Sequence, residues 1–108
     1  MKRGEVWTAA GSGYAGKPRP IIIIQDDRFD ATKSVTVCGL TTTDVDAPLG
    51  RIKMQPSAEN GLEQTSWMMV DKVFTVRRGQ LGKKLGTVSP AEIQELNRAL
   101  IVFLGLSG

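Results

Sequence analysis

Two prolines and an arginine lead directly into four consecutive isoleucines in the stretch GKPRPIIIIQ, which runs from Gly16 to Gln25. β-branched residues in a row favour extended backbone, and an unbroken apolar run of this length is typical of a strand buried on both faces. Proline has no amide hydrogen for a β ladder, so Pro18 and Pro20 predict where that strand begins. Arg19 therefore lies at the start of a rigid strand. Its guanidinium either forms an ordinary surface salt bridge or is held in a fixed direction toward a ligand.

The rest of the chain predicts short strands that form a small, strongly bent antiparallel sheet or barrel. Strands are expected at Glu5–Thr8, Ile21–Gln25, Ser34–Leu40, Arg51–Gln55, Ser66–Val70 and Val73–Val76, with a brief one at Leu85–Val88. In the segment RIKMQ, polar and apolar residues alternate, which predicts that Arg51, Lys53 and Gln55 face water as a basic stripe. Trp7 and Trp67 fall inside strands, and we expect both in the core.

A helix is predicted at the C-terminal end of the sequence. Ser89-Pro90-Ala91-Glu92 supplies an N-cap, a proline at the first helical position and a capping-box glutamate. Five apolar residues recur at helical spacing and should dock on the sheet: Ile93, Leu96, Leu100, Phe103 and Leu104. Ile101 and Val102 widen this apolar face. Gly105 is placed to end the helix. A chain of 108 residues is expected to form one domain over 1–108.

Composition excludes several kinds of chemistry. The sequence has no histidine and one cysteine, Cys38, so it lacks the commonest acid–base group near neutral pH and any plausible transition-metal cage. The net charge is +3, with its positive excess before residue 89, which fits a polyanionic partner and equally fits plain solubility. The first residues lack the apolar stretch of a signal peptide, and no apolar run approaches a membrane span, so we expect a cytoplasmic protein.

Five segments, in their order and spacing, resemble the MazF/PemK family of toxins. They are RGEVW (Arg3–Trp7), KPRPIIIIQDD (Lys17–Asp27), VCGLTTT (Val37–Thr43), GLEQTSWMMVDKVFTV (Gly61–Val76) and GKKLGTVSPAEIQELNRALIVFLGL (Gly82–Leu106). The resemblance implies a mainly β, SH3-like small barrel of antiparallel strands with a C-terminal helix, assembled as a homodimer. It also implies a sequence-specific endoribonuclease that needs no metal or other cofactor and arrests growth when its antitoxin is lost.

The resemblance also suggests catalytic residues. The MazF branch keeps a catalytic arginine at the Arg-Pro opening of its second strand, which matches Arg19. A threonine after the third strand's apolar run matches Thr41, although Thr42 and Thr43 leave the register open. The acidic position that takes part in catalysis in the PemK branch matches Asp71.

Metal-free RNA cleavage requires attack of the ribose 2′-hydroxyl on the adjacent phosphate. The permanent charge and paired donors of Arg19 suit the phosphorane, and the Thr41 hydroxyl can donate to a non-bridging oxygen. Asp71 could accept the 2′-hydroxyl proton if burial raised its pKa. PemK-type members have an arginine where this chain has Met69, and they use a loop histidine that is absent here. The acid for the leaving 5′-oxygen therefore stays open between Arg19 and Lys17.

An RNA-binding surface is expected from basic side chains with an aromatic partner. Candidates for phosphate contact are Lys17, Arg51, Lys53, Arg77, Arg78, Lys83 and Lys84, and Tyr14 in a glycine-rich loop could stack on a base. Each has an ordinary alternative role. The neighbouring cations Arg77-Arg78 and Lys83-Lys84 could be solvated charges in hairpins, and Tyr14 could anchor its loop. Thr41 could likewise be an ordinary threonine at a strand end, and Asp71 could be an ordinary hydrogen-bond acceptor in a turn.

Two other functions remain open at this point. The related CcdB toxins poison DNA gyrase without cutting RNA, but the C-terminal Trp-Gly-Ile that they use has no counterpart in Gly105–Gly108. A noncatalytic SH3-like binding module would keep the fold and lack the chemistry. The resemblance favours the nuclease, with single-stranded RNA as substrate and an antitoxin whose flexible acidic segment occupies the RNA groove.

Overall fold

The computed structural model describes residues 1–10, 17–46 and 50–107, which form strands followed by a C-terminal helix. The strands are β1 (Glu5–Ala9), β2 (Arg19–Ile23), β3 (Ser34–Thr41), β4 (Arg51–Met54), β5 (Ser66–Arg77) and β6 (Leu81–Thr87), and the helix is α1 (Pro90–Phe103). The predicted order of elements is confirmed. Three strands differ from the prediction by more than one residue: β2 begins at Arg19 and ends at Ile23, the two strands expected within residues 66–76 are one long strand, and β6 begins four residues early.

The strands form one antiparallel sheet in the order β4-β5-β3-β2-β1-β6, which confirms the mainly β fold class. β4 and β6 are the edges of this sheet within the described residues. Opposite β3, the partner residue on β5 jumps from Val73 to Met69 between Cys38 and Gly39. Residues 70–72 therefore form a bulge, and bulges bend a strand and redirect its side chains.

One core lies between the sheet and α1, and we call it the helix-side core. Its buried members are Val6, Ile22, Cys38, Leu40, Ile52, Met54, Met68, Val70, Val88 and Leu96. Burial raises the pKa of the Cys38 thiol to about 12, so this cysteine is an inert apolar side chain, as predicted.

A second core lies on the other face of the sheet, and we call it the opposite-face core. Its buried members are Ala9, Ile21, Ile23, Val35, Val37, Val76 and Leu81, with Trp7 and Phe74 packed against them. Successive isoleucines of β2 enter different cores, because successive side chains of a strand point to opposite faces. The prediction of a strand buried on both faces is thus confirmed, and β2 is held rigidly just beyond Arg19.

The helix begins as its sequence predicts. The Ser89 hydroxyl accepts from the Glu92 N–H at 3.1 Å, and the Glu92 carboxylate accepts from the Ser89 N–H at 2.8 Å. Gly105, at φ 72°, ends it, and the Leu106 N–H returns to the Ile101 carbonyl at 2.8 Å.

Only the first part of the helix docks on the sheet. Leu96 is buried and Ile93 and Leu100 pack beside it, whereas Phe103 and Leu104 are 50% and 55% exposed. The docking predicted for those two residues was wrong, because the last turn extends past the helix-side core. No helix in the described ranges has both the length and the apolarity to span a membrane.

Candidate active site

Arg19 and Thr41 meet at one end of two neighbouring strands. β2 and β3 pair as Ile21 with Gly39, Ile22 with Cys38 and Ile23 with Val37. Continued by two residues, to the first residue of β2 and the last of β3, this register places Arg19 opposite Thr41. The Cα atoms of directly opposed residues in an antiparallel pair lie about 5 Å apart.

The two side chains also lie on one face of the sheet. Arg19 alternates with Pro20 and so lies on the side of Ile21, while Thr41 lies on the side of Val35 and Val37. Those residues belong to the opposite-face core. The two predicted catalytic groups therefore project away from α1, beyond the end of a packed apolar layer.

Arg19 combines a fixed backbone with a free charge. Its backbone is paired with Ala9, which is fully buried, while its own side chain is exposed. Within the described part of the chain, no hydrogen bond or ion pair engages its guanidinium. Its five N–H donors are accordingly available to an anion such as a phosphate.

The Thr41 hydroxyl is oriented by its own chain. The Thr43 N–H donates to Thr41 Oγ1 at 3.1 Å, which leaves the hydroxyl proton to donate elsewhere. Thr42 lines a groove with Pro18 and Pro20 on the other face, and Thr43 lies beyond the strand end. Of the three consecutive threonines, Thr41 is the one that shares a strand face with Arg19.

The line from Arg19 through Thr41 continues across the sheet. Thr41 is opposite Trp67 on β5, and Trp67 is opposite Lys53 on β4. Directly opposed residues share a face, so Lys53, Trp67, Thr41 and Arg19 form one line of side chains, which we call the cross-strand row. It covers three strand spacings, about 14 Å. Lys53 is exposed and forms no ion pair with a described residue.

Asp71 does not belong to this row. It lies in the bulge of β5, with β3 between it and β2, and its backbone is roughly 12 Å from that of Arg19 by strand geometry. Its carboxylate is gripped by Arg51, with Nε to Oδ1 at 2.8 Å and Nη2 to Oδ2 at 3.3 Å. Gly50 lies against it, and a side chain there would contact the Asp71 Cβ.

This pairing opposes the role of Asp71 as a base. The hydrogen bonds from the Arg51 side chain hold the pKa of the Asp71 carboxyl below its usual range, outweighing desolvation. A base at neutral pH needs the opposite shift. The Arg51 side chain is only 10% exposed and is paired with Asp71, so the expectation that it faces water was wrong. Its contact with phosphate stays a prediction, which this ion pair makes less favourable.

Two further cations are already engaged. Arg78 Nε donates to the Thr32 carbonyl and Nη1 contacts the Met1 sulfur, while Nη2 is buried without a hydrogen-bond partner among the described residues. Lys84 pairs with Glu5 at 3.1 Å. Desolvation raises the pKa of Glu5, but hydrogen bonds from the Lys2 N–H, the Trp7 indole and Lys84 outweigh it and lower the pKa to about 2. Both side chains thus already have partners within the fold, and their contact with RNA stays a prediction.

The remaining residues predicted to contact RNA lie at different distances from Arg19 and Thr41. Lys17 is exposed two residues before Arg19, and Lys83 is exposed on the edge strand β6. Arg77 is also exposed, but it pairs with Ser34 at the other end of β3 from Thr41, about 23 Å along the strand. It therefore does not join the cross-strand row. Tyr14 lies outside the described residues.

Trp67 is the residue that sequence reasoning missed. It was expected in the core, yet it is half-buried and belongs to neither core. The signal was present in SWMMV, where Ser66, Met68 and Val70 are buried toward α1 and Trp67 alternates with them. Alternation alone therefore placed the indole on the opposite face.

Comparison with known proteins points in one direction. Residues 2–104 match the family described as PemK-like, MazF-like toxin of type II toxin–antitoxin system. The chain is 52% identical to a "Probable endoribonuclease MazF" of Mycolicibacterium smegmatis over the whole of both sequences. It is 34% identical to "Endoribonuclease MazF4" of Mycobacterium tuberculosis, over 96% of this chain and 92% of that one.

Solved structures agree. A mycobacterial "Endoribonuclease in complex with its cognate antitoxin" superposes with a TM-score of 0.83 at 33% identity, covering 98% of this chain and 96% of that one. A second mycobacterial endoribonuclease superposes with a TM-score of 0.79 at 29% identity, covering 97% and 91%. The predicted SH3-like, MazF-type architecture is thereby confirmed. With a family match over nearly its whole length, this chain belongs to the PemK-like, MazF-like toxins of type II toxin–antitoxin systems.

Proposed function

We propose that this chain is the toxin of a type II toxin–antitoxin pair, an endoribonuclease that cuts single-stranded RNA and thereby stops translation and growth. Relatives at 52% and 34% identity carry the name endoribonuclease. The observation that carries the proposal is the free Arg19 guanidinium opposite Thr41, at the exposed end of two packed strands. The cytoplasm, where messenger RNA is translated, is the compartment that this activity requires.

Arg19 acts on the charge that develops in the reaction. When the ribose 2′-hydroxyl attacks the adjacent phosphorus, the non-bridging oxygens gain negative charge in the phosphorane. A guanidinium that keeps its proton and its fork of donors stabilises that charge most in the transition state. The rigid β2 backbone supports this role, because a preorganised donor needs no rearrangement at the moment of reaction.

Thr41 orients the phosphate beside Arg19. Its hydroxyl accepts from the Thr43 N–H, so its proton points away from that bond and donates to a non-bridging oxygen. The products are a 2′,3′-cyclic phosphate and a free 5′-hydroxyl. The bond between the phosphorus and the 5′-oxygen breaks as the 2′-oxygen bond forms.

The proton transfers involve groups other than the Arg51–Asp71 pair. The lowered pKa of Asp71 makes its carboxylate a weak base, and Arg51 occupies both carboxylate oxygens. We assign Asp71 instead to holding Arg51 and the bulge of β5 in place. Arg19 and Lys17 remain the cations close enough to serve the leaving 5′-oxygen.

The partners follow from the same surface. A cognate antitoxin with a flexible acidic segment would lie along the cations of the cross-strand row and compete with RNA. The neighbour of known structure at 33% identity is itself in complex with its antitoxin. A homodimer is proposed as well, supported by the exposed apolar end of α1, where Val102, Phe103 and Leu104 are at least half exposed.

The test is to incubate the purified protein with a long RNA in EDTA. Discrete cuts that end in 2′,3′-cyclic phosphate are expected, because no metal takes part in the proposed chemistry. Intact RNA, together with DNA gyrase trapped on cleaved DNA, would contradict the nuclease and support a CcdB-like poison. Intact RNA without any effect on gyrase would leave a noncatalytic binding module.

A further inference from the structure

The two tryptophans of this chain have contrasting environments. Trp7 packs against the opposite-face core, and its indole N–H donates to Glu5 Oε1 at 2.9 Å. Trp67 packs against neither core, and its indole N–H has no hydrogen-bond partner within the described residues. A half-buried tryptophan near the start of a long strand usually packs on a core or finds a partner for its N–H. Among the residues that the structure describes, Trp67 does neither.

The neighbours of Trp67 in the sheet are polar or cationic. Thr41 lies directly opposite on one side and Lys53 on the other. Arg19 follows Thr41 on the next strand, and Lys53 and Arg19 are both exposed without ion pairs to described residues. The indole therefore lies between two free cations, on the face that presents Arg19.

We propose that Trp67 is a stacking platform for a base of the RNA substrate, next to the phosphate bound by Arg19 and Thr41. This deepens the proposed function and rests on it. Single-stranded nucleic acid is typically held by a basic groove that tracks the backbone and by aromatic rings that stack on the bases. In the cross-strand row, Lys53 and Arg19 provide the charge and Trp67 provides the ring.

The spacing supports this assignment. Trp67 lies two strands from Arg19, about 10 Å between backbones, and a long arginine side chain covers part of that distance. A base attached to the nucleotide at the scissile phosphate thus falls within reach of the indole. Stacking there would fix the ribose relative to Arg19 and Thr41, which is the positioning that an in-line attack requires.

A fluorescence experiment isolates each tryptophan, because the chain has only two. Trp7→Phe leaves Trp67 as the sole tryptophan, and Trp67→Phe leaves Trp7 as the matched control. Each variant is titrated with 2′-O-methyl oligoribonucleotides of mixed sequence, which lack the attacking hydroxyl and stay intact. We expect strong quenching of Trp67 and no change for Trp7.

Affinity provides the second measurement. Trp67→Ala should weaken binding of the same oligonucleotides by about 5- to 140-fold, the effect of losing one stacked base. Trp67→Phe should keep most of the affinity, because a phenyl ring still stacks. Thermal melts of all the variants separate this loss from unfolding, since a purely structural role would lower the melting temperature of Trp67→Ala without a specific loss of affinity.

The outcomes distinguish this inference from the function on which it rests. RNA binding with unchanged Trp67 fluorescence overturns the stacking role and leaves the nuclease standing. Failure of the wild-type protein to bind any RNA overturns both. Trp67 emission that shifts with protein concentration in the absence of RNA would place the residue on a self-association surface and also overturn the stacking role.

Discussion

Two arginines lie on the same face of the sheet but differ in exposure and in ion pairing. Arg51, on β4, is 10% exposed and bonded through two nitrogens to Asp71. Arg19, at the start of β2, is exposed and has no partner among the described residues. A guanidinium already neutralised by a carboxylate has little to offer a phosphate. The contrast teaches that a cation left unpaired among the described residues, more than the number of cations, supports the site that we propose.

The largest expected effect comes from removing the free arginine. Arg19→Ala should lower kcat by about 10²- to 10³-fold, the cost of losing one donor to a developing oxyanion. Its melting temperature should match the wild type, because the side chain has no described partner to lose. Arg77→Ala is the matched control, since it removes the same charge from an exposed arginine at the last residue of β5, opposite the end of β3 that is far from Thr41. Equal activity of Arg19→Ala and wild type would remove Arg19 from the mechanism.

A smaller effect is expected at the neighbouring hydroxyl. Thr41→Val keeps the volume and removes the donor, and it should lower kcat/KM by about 2- to 13-fold, as one neutral hydrogen bond is worth. Thr42→Val, on the other face, serves as the control and should cut at the wild-type rate. A loss confined to Thr42→Val would show that the register places the wrong threonine beside Arg19.

The smallest effect on activity is expected at Asp71, the aspartate that pairs with Arg51. Asp71→Asn should leave kcat unchanged, whereas loss of a general base costs about 10²- to 10⁴-fold. Stability should fall by about 1 kcal/mol at neutral pH, because the partly exposed ion pair loses its charge. Asp44→Asn, at an exposed carboxylate outside any described ion pair, controls for the change in net charge.

The pH dependence of stability sharpens the same comparison. The folded pKa of Asp71 is lowered, so its stabilisation is fully present above the unfolded value of about 3.9 and is lost as pH falls through the folded pKa. Asp71→Asn should therefore lose this part of the acid dependence in urea melts. A loss of kcat of about 10²-fold or more in Asp71→Asn, at a pH where the variant is still folded, would return Asp71 to the catalytic machinery.

Sequence reasoning succeeded where the signal is local. The prolines before four isoleucines predicted that Arg19 lies at the start of a buried strand, whereas Thr41 was suggested only by the resemblance to the MazF/PemK family. The Ser89–Glu92 capping box located the start of α1 to the residue. It failed where the partner is distant in sequence: Arg78 bonds the Thr32 carbonyl, and Asp71 on β5 holds Arg51 on the neighbouring strand β4.

By itself, the sequence determined the approximate strands, the helix cap and the position of Arg19 at the start of a strand, because β-branched sterics, proline and capping hydrogen bonds act within a few residues. The tertiary structure decided which cations are free, and it placed Trp67 between Lys53 and Thr41 outside both cores. Those outcomes depend on strand order, register and a bulge, which bring together residues far apart in the chain. Ion pairing is a contest among all the carboxylates within reach, and only the folded sheet fixes which of them each arginine meets.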